Sequence, residues 1–371
     1  MIKNIKKLGK FLFQTLGHQL FFFLYGRING ISEPNKEKRI SVRTSNLDNH
    51  NYKVYQVRGG RLYTDTINDT AVILDNKIVE GPSFQFRTVK NADVKDNIVF
   101  EKGTPRIKKN INGNVLSLLT GGAGNSNYWH WLFDVLPRIE LANKILNYQE
   151  IDNFLVPSVK KKFQFESLDL LDIDRKKILP SNIFRHIEAT SLLLVDHPYV
   201  LNNDPSIEIQ QMPKWIIQWL RHKFLVKNNI LKHSTHKKIY IERNNLNDDR
   251  SIRRKIINEE EVKSFLFKNG FHPINPEFLS LREQVNLFSN ADFIIGLHGA
   301  AFANIVFSKK NTKILEIQSN GTGDVIKNLA ISSDLLYDRM TIKPDSHDSN
   351  NQDGYIAVSI DILKKKIIKL P

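Results

Sequence analysis

The chain has 371 residues, of which 54 are Lys or Arg and 39 Asp or Glu, giving a net charge of +15 with 41 % hydrophobic residues. That length exceeds one typical core, so two domains are expected. The absence of cysteine excludes disulfides, zinc–thiolate sites and thiol catalysis, and suits a cytoplasmic protein. A basic balance of this size attracts polyanions: nucleic acid, anionic lipid or phosphorylated substrates. The sequence holds no nucleic-acid module and no basic groove interleaved with aromatics, so no nucleic-acid partner is expected.

Residues 1–30 read as a basic amphipathic helix. Lys3, Lys7, Lys10, Gln14 and His18 fall on one face and Ile5, Leu8, Leu12, Leu16 and Leu20 on the other, followed by the bulky run Phe21–Tyr25. The stretch is too polar to span about 30 Å of hydrocarbon, and no small-residue cleavage site follows it. It reads either as a helix lying on an anionic membrane surface or as one packed on the protein itself. Residues 31–50 are polar and read as linker, at the start of an N-terminal domain expected over 31–232. Short alternating runs at Lys53–Val57, Leu62–Asp65, Ala71–Leu74 and Phe84–Arg87, separated by Gly59-Gly60, Asp75-Asn76 and Gly81-Pro82, predict a β-meander.

A strand at Val115–Leu119 then leads through the flexible loop 120–126 into a helix. On that helix Asn127, His130, Asp134 and Arg138 fall within about 80° of one another, one polar stripe, opposite Trp129, Leu132, Phe133, Leu136 and Ile139. Pro137 should kink it. His130 and Asp134, four residues apart, form an oriented acid–base pair, or the Asp acts directly as base, or the two only stitch the helix to its neighbours. Strands follow at Phe154–Val156 and Ser191–Val195. A long helix from Pro205 through Phe224 comes next, then the basic linker Lys227–Lys238.

The C-terminal domain, expected over 233–371, opens with a strand at Ile239–Ile241 and a charged loop holding Arg243, Arg250, Arg253 and Arg254. Capping-box patterns at Asn258–Glu261 and Ser280–Glu283 start two helices. The order strand, helix, short strand, helix, strand, helix, strand predicts a doubly wound parallel sheet. Strand Ala291–Ile295 runs into Gly296-Leu297-His298-Gly299, a helix Ala300–Phe307, and a strand ending on Glu316. Glycines permit close backbone approach, a helix start offers free N–H groups to an anion, and ligands of open α/β sheets sit at the carboxyl ends of strands. His298 can donate to a phosphate, and Glu316 can take ribose hydroxyls. The segment reads as a nucleotide-diphosphate pocket or as an ordinary βαβ unit. Ile360–Leu370 is a closing amphipathic helix, returning to the first domain.

The stretch from Ile239 to Ile317 resembles glycosyltransferase family 61, which includes plant xylosyltransferases and capsule-type bacterial enzymes. The resemblance is carried by Arg243, Arg254, Glu283-Gln284, Gly296-x-His298-Gly299-Ala300 with Asn304, and Glu316; a second block runs from Asn127 to Arg138. Ala301 stands where many members carry glycine. The resemblance implies an α/β protein of two Rossmann-like domains, the GT-B type, with the active site in the cleft. It further implies inverting transfer from a nucleotide-sugar, here a UDP-sugar, to a glycan or lipid-linked acceptor in capsular or other surface polysaccharide synthesis, at the cytoplasmic side of the inner membrane. Arg243, Arg254 and His298 would hold the diphosphate beside Gly296, Gly299 and Ala300, with Glu316 on the ribose and Asn304 supporting the loop. Asn127 and Arg138 would contact the acceptor, Asp134 would be the base and His130 its partner. No Asp-x-Asp motif lies near these residues and Asp248-Asp249 reads as solvated, so neither metal nor cofactor is expected to be required. The alternative is a catalytically silent glycan-binding or scaffold protein of the same fold.

Overall fold

The structure, a computed structural model, describes residues 17–85, 93–119, 122–144, 146, 150–201, 205–228, 236–243, 254–344 and 353–370. It is a mixed α/β protein whose contacts divide into two compact units, Met1–Lys161 with Ile173–Ser206, and Lys162–Asp172 with Ile207–Pro371.

The first unit is built on a mixed sheet of eleven strands among the described residues: β1 (Ile31–Ser32), β2 (Ile40–Leu47), β3 (His50–Arg58), β4 (Arg61–Thr64), β5 (Asp69–Leu74), β6 (Lys77–Val79), β7 (Phe84–Gln85), β8 (Lys109–Ser117), β9 (Asn153–Val156), β10 (Ile178–Pro180) and β11 (His186–Val195). β8, β9, β10 and β11 are mutually parallel in the order β11-β8-β9-β10. On its other edge β11 pairs antiparallel with β3 and β4, so the sheet changes direction at β11. Leu192 of β11 lies between Val115 of β8 and Val57 of β3, and these three join the core with Leu62, Val72 and Leu155.

The expected short strands are present as β3, β4, β5 and β7, but Gly59-Gly60 is not a turn between paired strands. β3 and β4 run on in one register along β11, and the antiparallel pairing expected of a meander is confined to β4, β5, β6 and β7. The segment read as linker is not a linker, because residues 40–47 form β2, a hairpin partner of β3. Its turn residues Asp48 and Asn49 both have positive φ (49° and 64°), the geometry of a two-residue hairpin loop. Only Ile40 of β2 is buried, so there is no apolar alternation to betray the strand. Residues 17–25 are helical and half resolve the question about the N-terminus. Phe22 packs against Gly103, the Tyr25 hydroxyl accepts from Lys108 N (2.9 Å), and the Tyr25 ring stands edge-on to His186. Leu20, Phe23 and Leu24 remain exposed. The rest of the predicted basic helix lies outside the described residues, and no described helix is long and apolar enough to cross a membrane.

The second unit carries a five-stranded, wholly parallel sheet of β12 (Lys238–Ile241), β14 (His272–Ile274), β15 (Phe293–Leu297), β16 (Lys313–Ser319) and β17 (Leu336–Ile342), in the order β14-β12-β15-β16-β17. A separate parallel pair joins β13 (Arg254–Ile256) to β18 (Gly354–Ile356). Taking the five strands in chain order, the sheet reads 2-1-3-4-5, a doubly wound arrangement whose switch point lies between β12 and β15. The Ser280–Glu283 capping box forms in both directions, whereas Asn258 makes no capping bond and instead ties Glu261 to the Val358 backbone.

Three expectations are corrected by the structure. The long helix is interrupted over residues 209–213 and divides into Pro205–Glu208, Lys214–Arg221 and a π-helical turn His222–Val226. The expected boundary at 232/233 places that helix in the first domain. From Ile207 on it falls in the second unit, where Arg221 donates to the carbonyls of Val306, Ser308 and Ser333. The closing helix, Ile360–Lys369, does not return to the first unit: Leu363 and Leu370 sit in one core with Tyr240, Phe293 and Leu315.

Candidate active site

At the switch point, β12 and β15 end side by side, with Ile241 paired to Gly296. Arg243 lies two residues past β12 and His298 one residue past β15, so the topology sets both at the carboxyl edge. Arg254, at the head of β13, reaches the same place. The Nη1 atoms of Arg243 and Arg254 both donate to the His298 carbonyl, at 3.4 and 3.1 Å. Arg254 is further steadied by Asp353, 3.5 Å from its Nε. Arg250, Arg253 and Asp248-Asp249 lie outside the described residues.

His298 is held from behind. Its Nδ1 bonds the Glu316 carboxylate, whose second oxygen accepts the Tyr337 hydroxyl at 2.5 Å. Burial and then the facing Glu316 carboxylate raise the Tyr337 pKa, keeping the phenol protonated as a donor. Glu316 is fully buried with both oxygens engaged. It therefore does not offer itself to ribose hydroxyls as expected; it fixes the ring of His298 and leaves Nε2 as the edge that can meet a ligand. Donation from Nε2 then requires the doubly protonated ring, since the Nδ1 proton is committed to the carboxylate.

The glycines have separate roles. Gly296 lies inside β15, not in the loop. A Cβ there would stand 2.9 Å from Ile241 Cβ and 3.3 Å from Phe302, so its absence permits strand-to-strand packing rather than approach to a ligand. Gly299 has extended backbone (φ 171°), and a Cβ there would make only ordinary contact with Arg243. Its bareness keeps the space beside that guanidinium open. Gly299 and Ala300, both half-buried, begin Ala300–Phe307, a tighter 3₁₀ helix than the expected α-helix. Asn304 cannot touch a ligand. It is fully buried and donates to Gln284 Oε1 (2.8 Å), while Gln284 in turn donates to Pro276 and Leu279 carbonyls. The amide pair ties the 3₁₀ helix to Leu281–Asn290.

In the first unit the predicted polar stripe is present and almost wholly inside the protein. Tyr128–His130 is α-helical, Trp131–Val135 forms a π turn, and Pro137–Asn143 resumes the α-helix. Pro137 has no N–H to give, so the ladder skips a partner and Leu136 N reaches Trp131 O (3.1 Å). Asn127 spends its side-chain oxygen capping this helix at Trp129 N, which takes that atom away from the substrate contact expected of it. His130 Nδ1 lies 2.7 Å from Asp134 Oδ2, and the Tyr199 hydroxyl donates to Oδ1 at 2.6 Å. His197 faces the same oxygen as His130. Its Nδ1 accepts the Tyr199 and Val200 amides (3.3 and 3.1 Å), so its proton is on Nε2, 3.6 Å from Asp134 Oδ2. Arg138 donates from Nε to the Asp134 carbonyl and from Nη1 to Val195 O.

Burial alone would raise the Asp134 pKa, but His130 and His197 override it and hold the carboxylate well below its usual range. Burial likewise works against the charged form of His130, and Asp134 outweighs it, raising the imidazole pKa. Arg138 is pushed down to about 10 by burial, and burial keeps His197 neutral by lowering its pKa. Asp134 has no exposed surface, whereas the His130 side chain is 14 % exposed. Of this pair only His130 reaches the surface, so Asp134, expected from sequence to be the base, can meet a substrate only through the imidazole it orients.

Tyr199, His197 and Tyr337 are not singled out by the sequence. For the first two a signal exists, since Asp196-His197-Pro198-Tyr199 comes immediately after a strand and so falls at a carboxyl edge. Tyr337 gives none, because only the β16–β17 register brings it to Glu316. A model of the family described as glycosyltransferase 61 matches residues 128–315, taking in His130, Asp134, Arg138, Arg243, Arg254 and His298 and stopping one residue short of Glu316. No curated protein matches the chain. With half of its length matched, the chain belongs to glycosyltransferase family 61.

Proposed function

We propose that the chain is an inverting glycosyltransferase of GT-B type that moves a sugar from a nucleotide-sugar, in the first instance a UDP-sugar, to a glycan or lipid-linked acceptor. The observation that carries this reading is the convergence of His298, Arg243 and Arg254 at the switch point of the parallel sheet. Two guanidinium groups and an imidazole held from behind by Glu316 suit a diphosphate, whose charge grows as the sugar departs. In the first unit His130 would take the proton of the acceptor hydroxyl, with Asp134 stabilising the imidazolium that results. Cationic side chains would meet the leaving-group charge, and the reaction as proposed draws on no metal or cofactor.

A capsule or other surface polysaccharide of a bacterium is the setting that fits a +15 chain with an exposed apolar helix edge at Leu20, Phe23 and Leu24. The protein would act in the cytoplasm, peripheral to the inner membrane. Thermal shift of the purified full-length chain against a panel of nucleotide-sugars tests the donor assignment. Stabilisation by one base and sugar over the others is expected, and the gain should disappear in Arg254→Ala. A flat response across the panel would count against a nucleotide-sugar site.

A further inference from the structure

The first unit contains a cavity of about 660 Å³ that reaches the back of the His130–Asp134 pair through Arg138 and His197, within the roughly 300–1,000 Å³ typical of ligand clefts. It opens at the carboxyl ends of the parallel strands β8 and β11, where Ser117 and Val195 line it. This is also where β11 changes from a parallel partner to the antiparallel β3, which contributes Asn51, Lys53 and Tyr55. Ligands of open α/β sheets lie outside the carboxyl ends of the parallel strands, which here is the end of β8 and β11. The floor is buried and includes Arg138 and His197; the rim is exposed and carries Asn51, Lys53, Glu80 and Asp93. The turn at Glu80 is held close to β3, because Gly81 has φ +94° and a Cβ there would meet the Tyr55 hydroxyl at 2.6 Å.

The mix of charges decides the ligand class. Glu80, Asp93 and Asp196 set three carboxylates against Lys53 and Arg138, and Arg138 is already engaged with the Asp134 and Val195 carbonyls. A phosphate or polyuronate would meet as much repulsion as attraction. An uncharged, hydroxyl-rich molecule can donate to the carboxylates and accept from the amide and ammonium groups. The cavity also communicates with the reactive pair: Arg138 and His197, its floor, both touch Asp134, which holds His130. His130 itself is not part of the lining, so the cavity suits the body of an acceptor rather than its reacting hydroxyl.

We propose that this cavity holds the body of a neutral acceptor glycan, recognised by Glu80, Asp196 and Asn51 at the sheet's change of direction. The proposal rests on the transferase reading given above and names the acceptor class for it. The test uses the full-length chain and fluorescently labelled oligosaccharides of equal length, neutral (gluco-, xylo-, galacto- and N-acetylglucosamine chains) and uronate-containing. Binding is read by anisotropy, with UDP titrated calorimetrically in the same samples and melting curves as a check of folding. At least one neutral chain should bind, and its affinity should fall tenfold or more in both Glu80→Ala and Asp196→Asn. Failure of every neutral chain to bind, preference for uronate chains, or neutral binding that survives both substitutions would overturn the proposal. Loss of UDP binding by the wild-type chain would instead count against the donor reading, so the two failures are told apart.

Discussion

Replacing Asp134 by Asn changes one buried charge and almost no volume, and the geometry fixes the consequences. The carboxylate accepts two hydrogen bonds, from Tyr199 at 2.6 Å and from His130 at 2.7 Å. An amide has one oxygen. One bond survives without its charge, and the other position presents an N–H₂ to His130 Nδ1, which must give up its proton there to accept. Hydrogen bonds to charged groups contribute about 1.5–3 kcal/mol and neutral ones about 0.5–1.5; removing a buried charge offsets part of the loss. A net destabilisation of about 2–3 kcal/mol near pH 6 is expected. The pH dependence comes from the two shifts. The raised His130 contributes stability below its unfolded pKa of about 6.5, lost as pH rises through the higher folded value. The lowered Asp134 contributes stability above about 3.9, lost as pH falls through the folded value. The stability gap between wild type and Asp134→Asn should therefore be widest between about pH 4 and 6.5 and narrow above that range. For turnover the tautomer matters more: with its proton moved to Nε2, His130 can no longer act as base, and nucleoside diphosphate release from the donor should fall about 10²–10⁴-fold. Urea unfolding at pH 6 and 9, with donor turnover on the same preparations, reads both effects. Near-normal turnover in a folded variant would refute the assignment of His130 and Asp134 as the reacting pair.

Donor turnover by the wild type should rise with pH through the raised His130 pKa, above about 6.5, and a rate flat from pH 6 to 9 would remove His130 as base. Arg254→Ala should weaken UDP binding by about 1.5–3 kcal/mol in calorimetry, and an unchanged affinity would take Arg254 out of the donor site. Tyr337→Phe deletes the hydroxyl donated to Glu316; because Tyr337 acts through His298, UDP affinity should fall several-fold with little change in kcat. Phe23→Ser with Leu24→Ser removes two exposed apolar side chains worth about 1.5–3 kcal/mol each when buried, so co-sedimentation with anionic liposomes should drop at least tenfold while unit-one packing through Phe22 and Tyr25 persists.

Long, periodic features of the sequence translate directly into structure. The parallel sheet of the second unit comes from alternating apolar runs and helix starts, and the Ser280–Glu283 box needs only local bonds. The pairing of His130 with Asp134 is legible in helical spacing, which survives even the π turn at Pro137. The features that escape depend on distant parts of the chain. Glu316 looks like a ribose ligand because its burial by Tyr337, 21 residues away, is a matter of strand register. Gly296 looks like part of a ligand loop because nothing local shows that Ile241 would crowd its Cβ. Asp134 looks like the base because a helical wheel shows a stripe and not the side chains that cover it. β2 escapes because an exposed strand has no reason to alternate.

The most direct test of the account is release of nucleoside diphosphate by the full-length chain from a panel of nucleotide-sugars, measured for wild type and for His298→Ala. At least one donor should be turned over by the wild type, and the substitution, which removes the imidazole held by Glu316 at the switch point, should reduce that turnover by about two orders of magnitude or more. Wild-type protein that binds and cleaves none of the donors, or a folded His298→Ala variant as active as the wild type, would contradict it.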